Sequence, residues 1–449
     1  MKVIQFEDKP LAHYSYAIIS GNEMALVDPA RDPKPYYQLA EKHDVKIIAV
    51  FETHPHADFV SSHLQIHKET GAKIYVSKLV GANYPHQAFD DGNSVTIGKS
   101  TFSAINSPGH SPDSITIIAV DENNHHAMFS GDTLFIGDVG RPDLREKAGN
   151  MKAKREELAE SMYHTIQNKF NHLPDNTIVY PAHGAGSLCG KNMSTDSQST
   201  LGRERKENWA FKKLSEAQFI SHILKDQPFI PSYFGFNVDI NKNGAENVQR
   251  SIAKPTFQFK VDNSDFGNTV VVDVRNKDDF NNNHLPNSIN IIAETDDDKF
   301  ETWLGSIVKP EESFYLVIQS IDNRETMLKR VAKIGYEKQL KGVITLDAVT
   351  FEKSKELNIG EFKNHLDKYT IVDIRNKSEV EAGQVFDSAI SIPLNELRDS
   401  KNEISTDKPI VVHCAGGYRS AAGRSIISNL IEKVPVYDLG DDVTKFKKQ

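Results

Sequence analysis

Cysteine is nearly absent: 449 residues carry two, Cys189 and Cys414. Two thiols cannot build a disulfide framework, so a reducing compartment is expected and each thiol stands for individual inspection. Long apolar runs are missing as well. No stretch approaches the roughly 18 consecutive apolar residues of a membrane span. Met1 to Phe6 shows no apolar segment ahead of a small-residue cleavage site, so no signal peptide is visible. These absences point to a cytoplasmic chain without a membrane partner. A basic excess is lacking too: Lys+Arg 53 against Asp+Glu 62 leaves −9, which argues against a general nucleic-acid binder. Apolar residues at 38% and charged residues at 26% are enough for real cores and exclude a disordered chain. At roughly 150 residues per domain, about three domains are expected.

Residues 1 to about 240 read as alternating short strands and helices, an α/β pattern. Apolar runs such as Ala25-Leu26-Val27 and Lys46 to Phe51 end at polar turns bearing His or Asp, where α/β folds place their chemistry. Lys147 to Lys169 has the charge and spacing of a solvated helix on the outside of the sheet. Arg203 to Trp209 also reads as helix. Polar residues from Asn241 to Ala253, followed by Pro255, mark a domain boundary. Beyond it lies an internal repeat. Val271-Val272-Asp273-Val274-Arg275-Asn276-Lys277 reappears as Ile371-Val372-Asp373-Ile374-Arg375-Asn376-Lys377, and Leu316-Val317-Ile318-Gln319 pairs with Val411-Val412-His413-Cys414. Each second string has an arginine five residues on, Arg324 and Arg419. A period of about 100 residues is too long for a solenoid and means two copies of one domain. The apolar tetrads are buried strands of a parallel sheet, with the following residues at its carboxyl edge.

In the first half, Thr53-His54-Pro55-His56-Ala57-Asp58 follows the strand ending at Phe51. Ser107-Pro108-Gly109-His110, Phe129-Ser130-Gly131-Asp132 and Tyr180-Pro181-Ala182-His183 follow in turn. Each functional residue sits just past an apolar or aromatic strand, so all converge on one sheet edge. Neutral imidazole and carboxylate are the natural ligands of a catalytic divalent metal with open positions.

These residues resemble the metallo-β-lactamase superfamily, whose dinuclear hydrolases read HxHxDH. Here the last position is Phe59, which has no lone pair, so a second metal site loses a ligand. What remains matches a facial set of two His and one carboxylate suited to non-haem Fe(II) and dioxygen. The strings Gly131 to Leu144 and Pro181 to Gly190 are similar to the persulfide dioxygenase branch. That resemblance implies one Fe(II) per protomer on His54, His110 and Asp132, with His56, Asp58 and His183 behind them orienting ligands and waters. Asp58 reads equally as the cap of the following helix. Cys189, six residues past His183, is a small buried hydrophobe or a thiol near the iron that touches substrate. Arg141 holds a substrate carboxylate or fixes the loop around Asp143.

In the last domain, Val411 to Ser420 is a buried strand, a Gly-bearing loop and an Ala/Ser-rich helix. Cys414 sits where a helix N-terminus and consecutive backbone N–H groups converge, a nest that favours an anion. Gly416 and Gly417 allow that backbone and Arg419 adds positive charge. The string fits the rhodanese loop C-x-x-G-x-R, and Asp373 and Arg375 match the rhodanese amino-terminal signature. Phosphatase loops place their arginine one residue further on. In the middle domain Gln319 takes the position of Cys414, with no thiol and no glycine, so this copy is catalytically silent.

The expected architecture is therefore a metallo-β-lactamase αββα sandwich at residues 1–245, followed by two rhodanese-like α/β domains with central parallel sheets. These are a silent copy at 255–350 and an active copy at 355–449. The order resembles bacterial persulfide dioxygenase–sulfurtransferase fusions of sulfide detoxification. It implies a small-molecule persulfide, dioxygen and sulfite as partners, with sulfane sulfur carried on Cys414 to give thiosulfate. A homo-oligomer is in keeping with the pairing of metal domains in that family. The rival readings are a glyoxalase-II-like thioester hydrolase, against which Phe59 speaks, and a carrier module that passes sulfur from Cys414 to another protein.

Overall fold

The computed structural model describes residues 1–145, 154–258, 266–346 and 351–447. The chain divides into two compact units, Met1–Ser251 with Ala332–Gly335 and Ile252–Val331 with Tyr336–Gln449.

The first unit is built on two six-stranded sheets. In one, the strands Lys2–Asp8, His13–Ser20 and Glu23–Val27 run antiparallel, and Lys46–Phe51 and Lys73–Val76 add in parallel. In the other, Ser94–Ile97, Ser100–Asn106, Ile115–Val120 and His126–Gly131 form an antiparallel meander, with Ile178–Pro181 parallel to the last. The layering follows from the two-residue period of a strand. Ala25, Val27, Phe51, Ile117 and Phe129 point between the sheets into one core with Tyr16 and Phe102. Their neighbours Met24, Leu26 and Val50 point outward onto Tyr36 and Ile66. Ile118 and Met128 point out on the opposite face, onto Met162, Ile166 and Phe219. Helix, sheet, sheet and helix thus stack as an αββα sandwich.

The helix expected from Lys147 begins, among the described residues, at Arg155–His164 and runs into a wider turn, Thr165–Lys169. The stretch from Lys147 to Ala153 lies outside the described residues. This helix is not wholly solvated: Leu158, Ala159 and Met162 are buried. Leu201–Glu207 is helical, and the polar segment around residue 245 carries the helices Phe234–Asn243 and Val248–Ile252.

The second unit holds a five-stranded and a four-stranded sheet, both parallel. The strand Val270–Asp273 pairs with Phe314–Val317 in one, and Thr370–Asp373 pairs with Ile410–His413 in the other. The register corrects one expectation. Asp273 faces Val317 where Asp373 faces His413, so the residue in the place of Cys414 is Ile318, not Gln319. Burial agrees, since Ile318 is 0% and Cys414 1% exposed, while Gln319 is exposed. The middle loop is one residue longer before its arginine, a slip that an ungapped reading of the repeat does not detect.

Candidate metal centre and cysteine loop

The loops after strands Lys46–Phe51, Ser100–Asn106, His126–Gly131 and Ile178–Pro181 meet at one edge of the sandwich. Gly131 permits the approach. Its φ is +54°, and a Cβ there would lie 2.5 Å from Thr53 Oγ1. Ligand atoms of His54, His110 and Asp132 lie within 4.8 Å of one another, and all three residues are buried. Asp132 Oδ2 is 3.4 Å from His110 Nε2 and 3.9 Å from His54 Nε2. Neither Asp132 oxygen has a hydrogen-bond partner among the described residues. A buried carboxylate facing imidazole nitrogens, with only the weakly donating Cys189 thiol beside it, is poorly compensated unless a cation joins them. These residues therefore fit a metal ion.

Neighbouring groups fix the ligand tautomers. His110 Nδ1 donates to the Arg141 carbonyl at 2.9 Å, leaving Nε2 with its lone pair. Thr53 Oγ1 gives its proton to Asp28 at 2.8 Å and accepts from His54 Nδ1 at 3.1 Å. Burial, with the other histidines adding, holds His54 well below the usual imidazole range. Burial also lowers His110, against the pull of Asp132. Both are held as the neutral form that binds metals.

His56, Asp58 and His183 form a second buried cluster against the same aspartate. His183 Nε2 lies 3.4 Å from Asp58 and 3.6 Å from Asp132, and its Nδ1 donates to the Ala12 carbonyl at 3.2 Å. His56 is different. Its Nε2 is 3.0 Å from Asp28 Oδ1. Burial works against its charge, yet Asp28 and then Glu52 raise it to about 9, while it also stands among donors able to hold a metal with Asp58 and His183. Phe59, 1% exposed, packs its ring 3.8 Å from His13 and 4.3 Å from His56, centroid to centroid.

Cys189 is brought to this centre, within 4.8 Å of the Asp132 and His183 ligand atoms. Burial, then Asp132 and Asp58, push its thiol well up, so it stays protonated. Arg141 is spent elsewhere. Its Nε and Nη2 grip Asp143 at 2.7 Å each, and the remaining donors reach the carbonyls of Leu188, Phe229 and Pro228. All five N–H groups are used, which leaves none for a substrate and favours the loop-fixing reading. Asp28 and His13 are site neighbours that the motifs did not single out. Asp28 carries a signal, an aspartate directly after a buried strand; His13 carries none.

In the second unit the Gly417 N–H donates to Cys414 Sγ at 3.2 Å. Gly417 has φ +96°, and the helix Tyr418–Leu430 starts behind it. Arg419 does not stand free beside the thiol as expected. It makes a fork-on-fork pair with Glu379 at 2.6 and 2.7 Å, and its guanidinium lies 6.0 Å from the centroid of the Trp303 ring, supplied by the middle copy. The Tyr418 hydroxyl donates to the Ile292 carbonyl of that copy at 2.9 Å.

An αββα sandwich with His and Asp on the loops of one edge, beside parallel sheets one of which bears a cysteine nest, defines a metal-binding enzyme fold joined to rhodanese-type modules. Residues 8–183 match the metallo-beta-lactamase superfamily, and 260–346 and 358–448 each match the rhodanese-like domain. The chain carries a metallo-beta-lactamase domain followed by two rhodanese-like domains. It is 30% identical over 182 residues to the persulfide dioxygenase ETHE1, mitochondrial, of Bos taurus, a match covering 40% of this chain and 66% of that protein, just under two thirds. It is 29% identical over 254 residues to the hydroxyacylglutathione hydrolase of Dictyostelium discoideum, covering 51% of this chain and 88% of the relative. A crystal structure of a metallo-beta-lactamase from Staphylococcus aureus subsp. aureus COL superimposes with TM-score 0.67 at 28% identity, over 77% of this chain and 99% of that one. No helix among the described residues is long and apolar enough to cross a membrane.

Proposed function

We propose that this chain oxidises the terminal sulfur of a low-molecular-weight persulfide and transfers sulfane sulfur to the product. The first activity is assigned to residues 1–245 and the second to 355–449, with 255–350 a silent copy. The balance is R–S–S⁻ + O₂ + H₂O → R–SH + SO₃²⁻ + H⁺, followed by transfer from a Cys414 persulfide to sulfite, which gives thiosulfate and the Cys414 thiolate. The observation that carries the reading is the division around Asp132. His54 and His110 present their Nε2 atoms to it, while His56 Nε2 lies 3.0 Å from Asp28 and Phe59 stands where the dinuclear motif carries a further histidine. That favours one Fe(II) on His54, His110 and Asp132 over a dinuclear hydrolytic pair. The relatedness to ETHE1 supports the same choice.

Iron held there supplies the redox chemistry with dioxygen. The chain's own residues hold the site. The pairs Thr53–His54 and Arg141 carbonyl–His110 fix ligand orientation, and burial of every ligand keeps bulk water out. Asp58 and His183 are placed to hold a water or the persulfide beside Asp132. Cys414 acts as the nucleophile on a second persulfide, forming a bond to its terminal sulfur as the R–S bond to that sulfur breaks and R–S⁻ leaves, in a nest where the Gly417 N–H meets the Cys414 sulfur.

The test is oxygen uptake by the iron-loaded chain with a panel of persulfides of glutathione, coenzyme A and bacillithiol, with sulfite and thiosulfate quantified. Asp132→Ala should lose iron and uptake together. Turnover of acyl-glutathione thioesters without oxygen uptake would replace this reading with the hydrolase.

A further inference from the structure

Arg424, in the helix Tyr418–Leu430, is only 6% exposed. It makes no hydrogen bond or ion pair with any described residue, and it takes no part in the cysteine loop. It lies at the floor of a cavity of about 430 Å³ within the second unit, lined also by His284, Glu352, Lys353, Lys355 and Ser428. Burial costs its guanidinium more than the attraction of Asp438 and Glu352 returns from beyond contact distance. Asp438 accepts the Gly440 N–H on Oδ1 at 2.8 Å and has Lys277 3.4 Å from Oδ2. Glu352, exposed like Glu432, lies 3.8 Å from His284 Nε2. Neither Asp438 nor Glu352 reaches Arg424 directly, though both attract it. Lys353 and Lys355 are exposed cations that face the same space. His284 adds no charge. Its Nδ1 donates to the Phe280 carbonyl at 2.8 Å, and burial, helped by Arg424, lowers it to about 4.

We propose that this cavity is an oxyanion site, in which Arg424 forms the buried fork and Lys353, Lys355 and the Ser428 hydroxyl complete the cradle for a tetrahedral anion. A planar guanidinium recognises such an anion through two parallel N–H groups. The volume exceeds that of a bare oxyanion and falls in the range of small-molecule pockets, roughly 300–1,000 Å³. The occupant is therefore either a phosphate ester larger than its head group or a sulfur oxyanion with water around it.

The experiment is thermal melting and calorimetric titration of the full chain in chloride buffer, with inorganic phosphate in one arm and sulfite in the other. The parent should melt higher with at least one of the two. Tighter binding of phosphate assigns the site to phosphate esters, and tighter binding of sulfite to sulfur oxyanions. Arg424→Gln should weaken the bound anion by more than about tenfold, the effect of removing a charged hydrogen-bond partner. In chloride alone it should melt close to the parent, because the burial cost it relieves and the attraction of Asp438 and Glu352 that it loses oppose one another. Lys355→Gln, on an exposed residue, should fold normally and weaken the same anion by a smaller factor. Equal anion shifts in parent and Arg424→Gln, or no shift in the parent with either anion, would each overturn the proposal.

Discussion

The two rhodanese-like copies share a brace and differ in a loop. In each, an arginine two residues past an aspartate grips it with Nε and Nη2. Arg275 reaches Asp273 at 2.7 Å and the Asn283 carbonyl at 2.6 Å. Arg375 reaches Asp373 at 2.6 Å and the Gly383 carbonyl at 3.0 Å. The Asp-x-Arg string therefore holds the fold and says nothing about chemistry. The difference lies past the next strand. One copy has Cys414 with the Gly417 N–H turned onto its sulfur. The other has a buried Ile318 followed by a tight turn, Ile321–Asn323, in which Asn323 N–H closes on the Ser320 carbonyl at 3.0 Å. The copy without a cysteine contributes packing: Trp303 and the Ile292 carbonyl meet the helix that follows Cys414. The two copies thus differ in the loop that bears or lacks a thiol and share their packing.

The largest expected effect is Cys414→Ser. Thiosulfate formation should fall to background, because a serine hydroxyl is a far weaker nucleophile than a thiolate. Sulfite should accumulate and oxygen uptake should persist. Thiosulfate at the parental rate would erase the distinction between the copies. Next come Asp273→Asn and Asp373→Asn, each of which leaves a buried arginine without its partner. Both should cost about 3–5 kcal/mol in denaturant unfolding. A large cost in only one would break the shared-brace account. Glu379→Gln should cost about 1 kcal/mol, modest because a third of that side chain is exposed.

The same pair sets an acid limit. Burial pushes Glu379 up, but Arg419 outweighs it and holds the carboxyl below its ordinary range. Glu312, paired with Arg398 of the last copy, behaves alike. A lowered carboxyl stabilises fully above its unfolded value, near 4.3 for Glu, and the gain is lost as pH falls through the lower folded value. The melting point should therefore drop below about pH 4, and Glu379→Gln should blunt that drop. The smallest effect should come from Ile318→Cys in the Cys414→Ser background. A thiol without the glycine nest should restore no transfer, and recovered thiosulfate would show that the loop backbone is dispensable.

Much of this was legible in the sequence. The ligand-bearing strings stand out because metal donors after buried strands obey fixed spacing, and the repeat stands out because its Asp-x-Arg brace is retained. What escaped depended on tertiary approach. Nothing near His56 in sequence indicates that Asp28, 28 positions earlier, lies 3.0 Å from its Nε2. Arg141 resembles a substrate anchor until the carbonyls of Pro228 and Phe229 arrive to consume its donors. Glu379 neutralises Arg419 from a separate helix, Lys377–Ala382. The slip from Gln319 to Ile318 is one residue, and only the strand register settles it.

The central claim is one iron centre and one sulfur-carrying thiol per chain. The most direct test is iron content per protomer after anaerobic loading, read on the parent and on Phe59→His. The account predicts one iron in the parent and a second metal only in the variant, where an imidazole replaces the phenyl ring. Two metals bound in the parent would contradict it.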